Sequence, residues 1–344
     1  MKVIFVNLAF SIYILLSSTA FGQKLLPLNF IKLPADIIEA EDVSAITKIG
    51  SFLVIGSDEG SGKDKNKNYI QLLKNGANEN YKIHSNILLF KGNKKDGREM
   101  DIEGLAAEGK NIYIVGSHAS RHKKIKEDEK YKKNRDKFHG HEIKDERNRD
   151  WLYRLTIDSQ GKAVSKEKIS LRRIIESNAT LKTFSNIPSK ENGVDIEGLA
   201  TKDDWLYIGF RGPVFRGNYV PVLKLKFDDP KDTYDLLYIN LDGRGIRGMT
   251  SVSDGFLIIA GPVGDGASSY QLYYWDGNDV IPGKDRELSD IGEIRLLGEI
   301  LPPKNGKAEG LVVVQEESAL YHLIIVYDGV KSNDKIMQRF ILNK

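Results

Sequence analysis

The chain has 344 residues, 40% hydrophobic and 29% charged, with a formal net charge of +3; this suits a globular fold and gives the molecule as a whole no strong field for nucleic acid. Cysteine is absent, which excludes thiol catalysis, cysteine-bound metal and disulfide cross-links. The length admits one large domain or two ordinary ones.

In chain order, residues 1–22 carry the marks of an export signal. Lys2 is followed by a nearly unbroken apolar run from Val3 to Leu16, and Ala20 and Gly22 are the small residues a signal peptidase needs before a cut at Gln23. The run falls short of the roughly 20 apolar residues of a membrane helix, and no later segment is apolar enough to serve. The expectation is an exported protein, periplasmic or secreted, with a mature domain of 23–344 and no integral membrane segment after cleavage.

The segment KLLPLNFIKL at 24–33 reads as a strand with no hairpin partner of its own. A first unit starts at Asp42 (DVSAITKIGSFLVIGS), with strands at 42–47, 52–57, 68–73 and 80–90. A second starts at Asp101 (DIEGLAAEGKNIYIVGS) and continues through WLYRLTID and KEKISLRRI. Its strands are separated by a charged insertion at 118–150. Within that insertion, residues 121–150 hold 12 Lys/Arg and 8 Asp/Glu, a mixture that reads as a solvated loop. The insertion also carries His118, His122, His139 and His141; the His139–Gly140–His141 spacing suits a transition metal. Residues 172–192 read as a short helical insertion. The third unit starts at Asp195 and repeats DIEGLA letter for letter; YVPVLKLKF and DLLYINL complete it. A fourth starts at Gly245 (GIRGMTSVSDGFLIIAG). A fifth starts at Lys307 (KAEGLVVV) and is one strand short.

Repetition of strand-rich units about every 50 residues is the sequence mark of a β-propeller. The expected fold is all-β: a single propeller of five four-stranded blades, closed by pairing strand 24–33 with the C-terminal blade. A sixth blade has no unit to supply it. The glycines of the motif, Gly104, Gly198, Gly248 and Gly310, let crowded inner strands approach one another. By strand alternation, Glu103, Glu197, Arg247 and Glu309, with Ser44 in the degenerate copy, point toward a common axis. Asp101 and Asp195 lie two residues earlier on the same strands.

Carboxylates gathered on an axis raise one another's pKa or recruit a cation, and oxygen donors of this kind suit Ca²⁺ or Mg²⁺. The candidate metal set is Glu103, Glu197, Glu309 and Asp195, and the candidate cofactor is Ca²⁺. The bland alternative is that each Glu accepts backbone hydrogen bonds at a blade junction. Arg211 and Arg216 (RGPVFRG) and Arg244 and Arg247 (GRGIRG) fall in loops on one face, as an anion site would require; pairing with the glutamates is the competing account. His118 follows a second strand and, with Asp101, is the candidate for moving protons. Two loop motifs fail on inspection. GSDEGSGKD has the wrong spacing for a phosphate loop, and Asp64, Asn66 and Asn68 lack the turn glycine and closing Glu of a calcium loop.

The paired DIEGLA copies, GSH at 116–118, RGPVFRG at 211–217 and GRGIRG at 243–248 together resemble the bacterial domain of unknown function 3616 family over roughly 36–330. That resemblance implies a propeller and no established activity. The EGLA repeat also looks distantly like propellers grouped with phytase-type esterases, which would imply calcium-assisted ester or phosphoester hydrolysis. Three functions stay open. The first is a module binding an anionic small molecule or peptide at the axial face, through the four arginines and a divalent cation. The second is a metal-assisted hydrolase on the same site, and the third is a non-catalytic interaction scaffold. No interleaved aromatic pattern supports a nucleic-acid partner.

Overall fold

The structure is a computed structural model. It describes residues 25–63, 65–76, 80–139, 143–264, 266, 268–331 and 335–344. The expected signal segment, Asp64 and His141 lie outside these residues, as does the side chain of His139.

The opening strand, β1 (Leu25–Ile31), stands apart from the first blade. Blade one is β2 (Val43–Ile49), β3 (Phe52–Ser57), β4 (Lys67–Asn75) and β5 (Tyr81–Lys91). Blade two begins with β6 (Ile102–Glu108) and β7 (Asn111–Gly116). The charged insertion follows, with β8 (Ser120–Arg121), the helix α1 (Tyr131–His139) and β9 (Lys144–Asp145). The blade then resumes with β10 (Trp151–Ile157) and β11 (Ala163–Ser170), and the helix α2 (Arg172–Ser177) leads to blade three. Blade three is β12 (Asp195–Lys202), β13 (Trp205–Gly212), β14 (Tyr219–Leu225) and β15 (Asp235–Asn240). Blade four is β16 (Gly245–Val252), β17 (Gly255–Gly261), β18 (Tyr270–Trp275) and β19 (Ile294–Ile300). Blade five is β20 (Lys307–Glu316), β21 (Leu320–Asp328) and β22 (Met337–Asn343), completed on its outer edge by β1.

Each blade is a four-stranded antiparallel sheet. Leu25 pairs with Leu342 and Ile31 with Met337, so strands from opposite ends of the sequence close the ring as expected. The fourth strand of blade two differs from the expectation: it runs over 163–170, and LRRI at 171–174 has left it to begin α2. Ile174 and Ile175 explain the change, because both are buried on the helix and a strand would have turned one of them to water.

The inner strands touch in a closed cycle, β2 to β6 to β12 to β16 to β20 and back to β2. Their crowding is visible at Gly248, where an added Cβ would fall 2.4 Å from the carbonyl oxygen of Glu309 on the next blade. Large side chains fill the wedge between blades farther out. Tyr207 and Phe256 meet with ring centroids 4.4 Å apart, and Trp275, fully buried, stands edge-on to Tyr207.

Every inner strand carries a bulge at the same step. In blade two Ile102 pairs with Gly116 and Gly104 with Val115, leaving Glu103 as the extra residue. The skipped residue is Ser44 in blade one, Glu197 in blade three, Arg247 in blade four and Glu309 in blade five. The axial residues thus face inward because a bulge re-aims each of them. Simple alternation, the reason read from sequence, does not hold at this step.

Candidate functional site

The bulges place Glu103, Glu197 and Glu309 in the lining of one narrow axial cavity. The fifth member, Ser44, is fully buried and donates from Oγ to the carbonyl oxygen of Ile102 at 2.5 Å, tying blade one to blade two.

Two further tiers surround this one. The residues two positions before each skipped one are Asp42, Asp101, Asp195, Gly245 and Lys307, at or just before the start of the inner strand. The residues just past the partner of the pre-bulge position are Asp58, Ser117, Arg211, Gly261 and Asp328. The charge is spread unevenly over the tiers. Blades one and two contribute Asp42, Asp58, Asp101 and Glu103 with no cation at these positions, and blade five contributes Lys307, Glu309 and Asp328. Blades three and four contribute Arg211 and Arg247 beside Asp195 and Glu197.

On the arginine side, Arg211 is bonded to Asp195 and reaches Glu197 at 2.6 Å. Arg247 reaches Glu197 at 2.8 Å and is bonded to Glu309. Arg247 is 3% exposed, so its partners are held out of water with it. Of the other two arginines in the sequence set, Arg244 donates to the carbonyl oxygen of Ser269 at 3.0 Å. Arg216 is exposed in the turn before β14.

On the acidic side, Arg149 from the charged insertion bonds Asp101 at 2.6 Å and Glu99 at 2.5 Å, and Lys307 bonds Asp328. These cations leave a surplus of carboxylate. Asp58, Asp101 and Glu103 bring ligand oxygens within 4.8 Å of one another, as do Asp42, Asp58 and Asp328. Oδ1 of Asp58 is enclosed and has no hydrogen-bond partner among the described residues. Asp101 sits at φ 58°, a left-handed conformation that costs about 1–3 kcal/mol and persists only where the surroundings hold it, and Arg149 binds its carboxylate.

Burial is the first cause of the acid shifts. It pushes Glu309 up to about 8 and Glu197 up to about 7, against the opposing pull of their arginines. Asp42 rises to about 6 through burial and the neighbouring Asp328. Asp58 and Glu103 are raised well above the carboxylate range, by burial and then by Asp101 and Glu197 respectively. Such a layer holds protons near neutral pH.

Asp58, Asp328, Arg149 and Lys307 were not legible as site residues. Asp42 and Lys307 begin recognised copies of the repeat, and their alignment with Asp101 was the available signal. Asp58 and Asp328 required the register across the hairpin. His118 lines a different cavity, with Asp150 and Arg172.

The ring closure and the axial tiers define a five-bladed β-propeller with ionisable groups concentrated on its axis. The chain belongs to the family described as Protein of unknown function (DUF3616), whose model matches residues 42–343. No curated relative matches the sequence. Among solved structures, it is similar in fold to an exo-β-1,3-galactanase from Phanerochaete chrysosporium, with 9% identity, a TM-score of 0.46 and coverage of 93% of this chain and 64% of that one. It is similar also to a GH43 β-1,3-galactosidase, with 10% identity, a TM-score of 0.47 and coverage of 92% and 60%. A GH32 β-fructofuranosidase from Bombyx mori is a third, with 11% identity, a TM-score of 0.45 and coverage of 92% and 62%. The chain therefore spans less than two thirds of each of these proteins. Among the described residues, no helix is long and apolar enough to cross a membrane.

Proposed function

We propose that this is an exported propeller whose axial face binds a divalent cation, Ca²⁺ by its oxygen donors, and through that ion an anionic small molecule or peptide. One observation carries the reading: Asp58, Asp101 and Glu103 converge within 4.8 Å while Asp58 Oδ1 lacks any partner. Hard oxygen donors in that number suit calcium, which takes further ligands from a guest or from water. Arg211 and Arg247 are committed to Asp195, Glu197 and Glu309. The anion's charge therefore falls to the ion, and the arginines hold the carboxylates in place. Glu197 and Glu309 complete the cavity wall and are not needed as metal ligands.

A second reading, metal-assisted hydrolysis of an ester or phosphoester, is favoured by the raised pKa of Glu309 beside the same cavity. A carboxyl group that keeps its proton near neutral pH is a ready general acid. The bound ion would supply Lewis acidity.

Thermal melts of the mature protein test the first reading. Calcium at about 100 times its Kd should add ~2.7 kcal/mol to stability, a rise in Tm of roughly 4 °C for a domain of this size. Asp58→Asn and Glu103→Gln should each abolish the rise. Equal melting in calcium and in chelator would remove the ion from both readings. A calcium shift with turnover of generic phosphate or acyl esters would select the second.

A further inference from the structure

The charged insertion of blade two presents a surface that the axial site leaves unused. The insertion is tied down at its ends: β8 pairs with β9, and His122 bonds Glu191 at 2.6 Å. Between these ties lies α1. One side of the helix is fastened to the segment before it. Asn134 accepts from the N–H of Lys126 at 3.2 Å and donates to the carbonyl oxygen of the same residue at 2.6 Å. Lys137 donates to the carbonyl oxygen of Lys124 at 2.5 Å.

A second side of α1 faces water. Tyr131, Arg135 and Phe138 follow one another at helical spacing and form one stripe. Arg135 donates to the hydroxyl of Tyr131 at 2.7 Å, which holds the tyrosine ring in place. Tyr131 is 74% exposed and Phe138 77%. Among the described Phe, Tyr and Trp residues these two alone are exposed; the others are buried or half-buried. Cations surround the stripe. Residues 121–138 hold nine Lys/Arg and four Asp/Glu, and Lys124, Lys126, Lys130 and Lys132 are all exposed. The local excess of positive charge is larger than the +3 of the whole chain, so the remainder of the chain is net negative and the basic character is concentrated here.

The two properties together select a partner. The lysines call for a surface dense in negative charge. Phe138 calls for an apolar layer within a ring's reach of that charge. A soluble polyanion meets the lysines and leaves Phe138 wet, whereas an anionic bilayer has its acyl boundary directly beneath its charged headgroups. Tyrosine, with an apolar body and a polar tip, suits the same depth. We propose that α1 docks the protein on an anionic lipid bilayer, with Phe138 and the ring of Tyr131 at the headgroup–acyl boundary and Lys130 and Lys132 among the headgroups. This docking does not depend on the axial cation.

The test is sedimentation of the mature protein with vesicles of equal parts phosphatidylglycerol and phosphatidylcholine. Chelator is present throughout, so that no axial calcium ion can bridge protein to lipid. Half-maximal binding is expected at a lipid concentration on the order of 0.1 mM, the strength of a single acyl anchor. Vesicles of phosphatidylcholine alone should bind about a hundredfold more weakly. Phe138→Ala should weaken binding to the anionic vesicles about tenfold, and Lys132→Gln about fivefold. Both side chains are exposed, so an unchanged Tm should accompany each loss. Phe138→Trp should keep the affinity, and emission from the added indole should shift to the blue when anionic vesicles are supplied. Equal binding to both vesicle types, undiminished binding by Phe138→Ala, an unshifted indole emission, or tighter binding to soluble poly-L-glutamate than to vesicles would each overturn the assignment, as would absence of binding at millimolar lipid.

Discussion

At the scale of single residues, the axial layer is an exchange of burial against charge. Arg247 joins Glu197 to Glu309. Above about pH 8, where both carboxylates are ionised, removing one member of such a buried set costs about 3–5 kcal/mol, because the remaining charges lose their partner. The proton balance follows from the same burial. With folded-state pKa values of about 8 and about 7, Glu309 and Glu197 keep protons that the unfolded chain releases near 4.5. The native state therefore binds more protons between those limits, so this contribution to stability is complete below about pH 4.5. It declines as pH rises through 7 and 8, then levels. Denaturant melts in chelator should show that decline, and Glu309→Gln, which cannot ionise, should flatten its upper part. A slope unchanged by the substitution would mean that Glu309 is ionised throughout.

At the scale of elements, the inner strand is where the sequence spoke most clearly and where its account needed correction. The two DIEGLA copies and the degenerate starts at Asp42, Gly245 and Lys307 were enough to find five blades, because the motif recurs at blade spacing. They also put Glu103, Glu197 and Glu309 on one axis, and the structure places all three around one cavity. The reason was hidden, since a bulge is a property of pairing between strands and leaves no mark in one strand read alone. Asp58 and Asp328 were hidden for the same reason: Asp58 follows a second strand and Asp328 ends one, and only the register brings each to the axis. Gly248 tests the crowding. A Cβ there meets Glu309 O at 2.4 Å and Gly310 Cα at 3.3 Å, both backbone atoms that cannot swing aside. Gly248→Ala should destabilise the fold by about 1–3 kcal/mol and lower Tm by several degrees. A neutral outcome would show that β16 and β20 have room to separate.

At the scale of the molecule, closure makes five sheets behave as one body. Blade five borrows its outer strand from residues 25–31, so deleting that strand leaves the row of polar backbone groups on β22 unpaired. Such a truncated protein should melt at lower temperature and associate through the bare strand, as light scattering or gel filtration would register. A monomer of unaltered Tm would show that β1 is dispensable. The kinked step in each innermost strand has a wider meaning. The ladder skips that residue in every sheet, so pairing with the neighbouring strand places little demand on its side chain. Serine, glutamate and arginine already occupy equivalent places around one ring. The centre can thus be refitted with other chemistry while the surrounding barrel of sheets keeps its form, and one architecture can come to hold different guests.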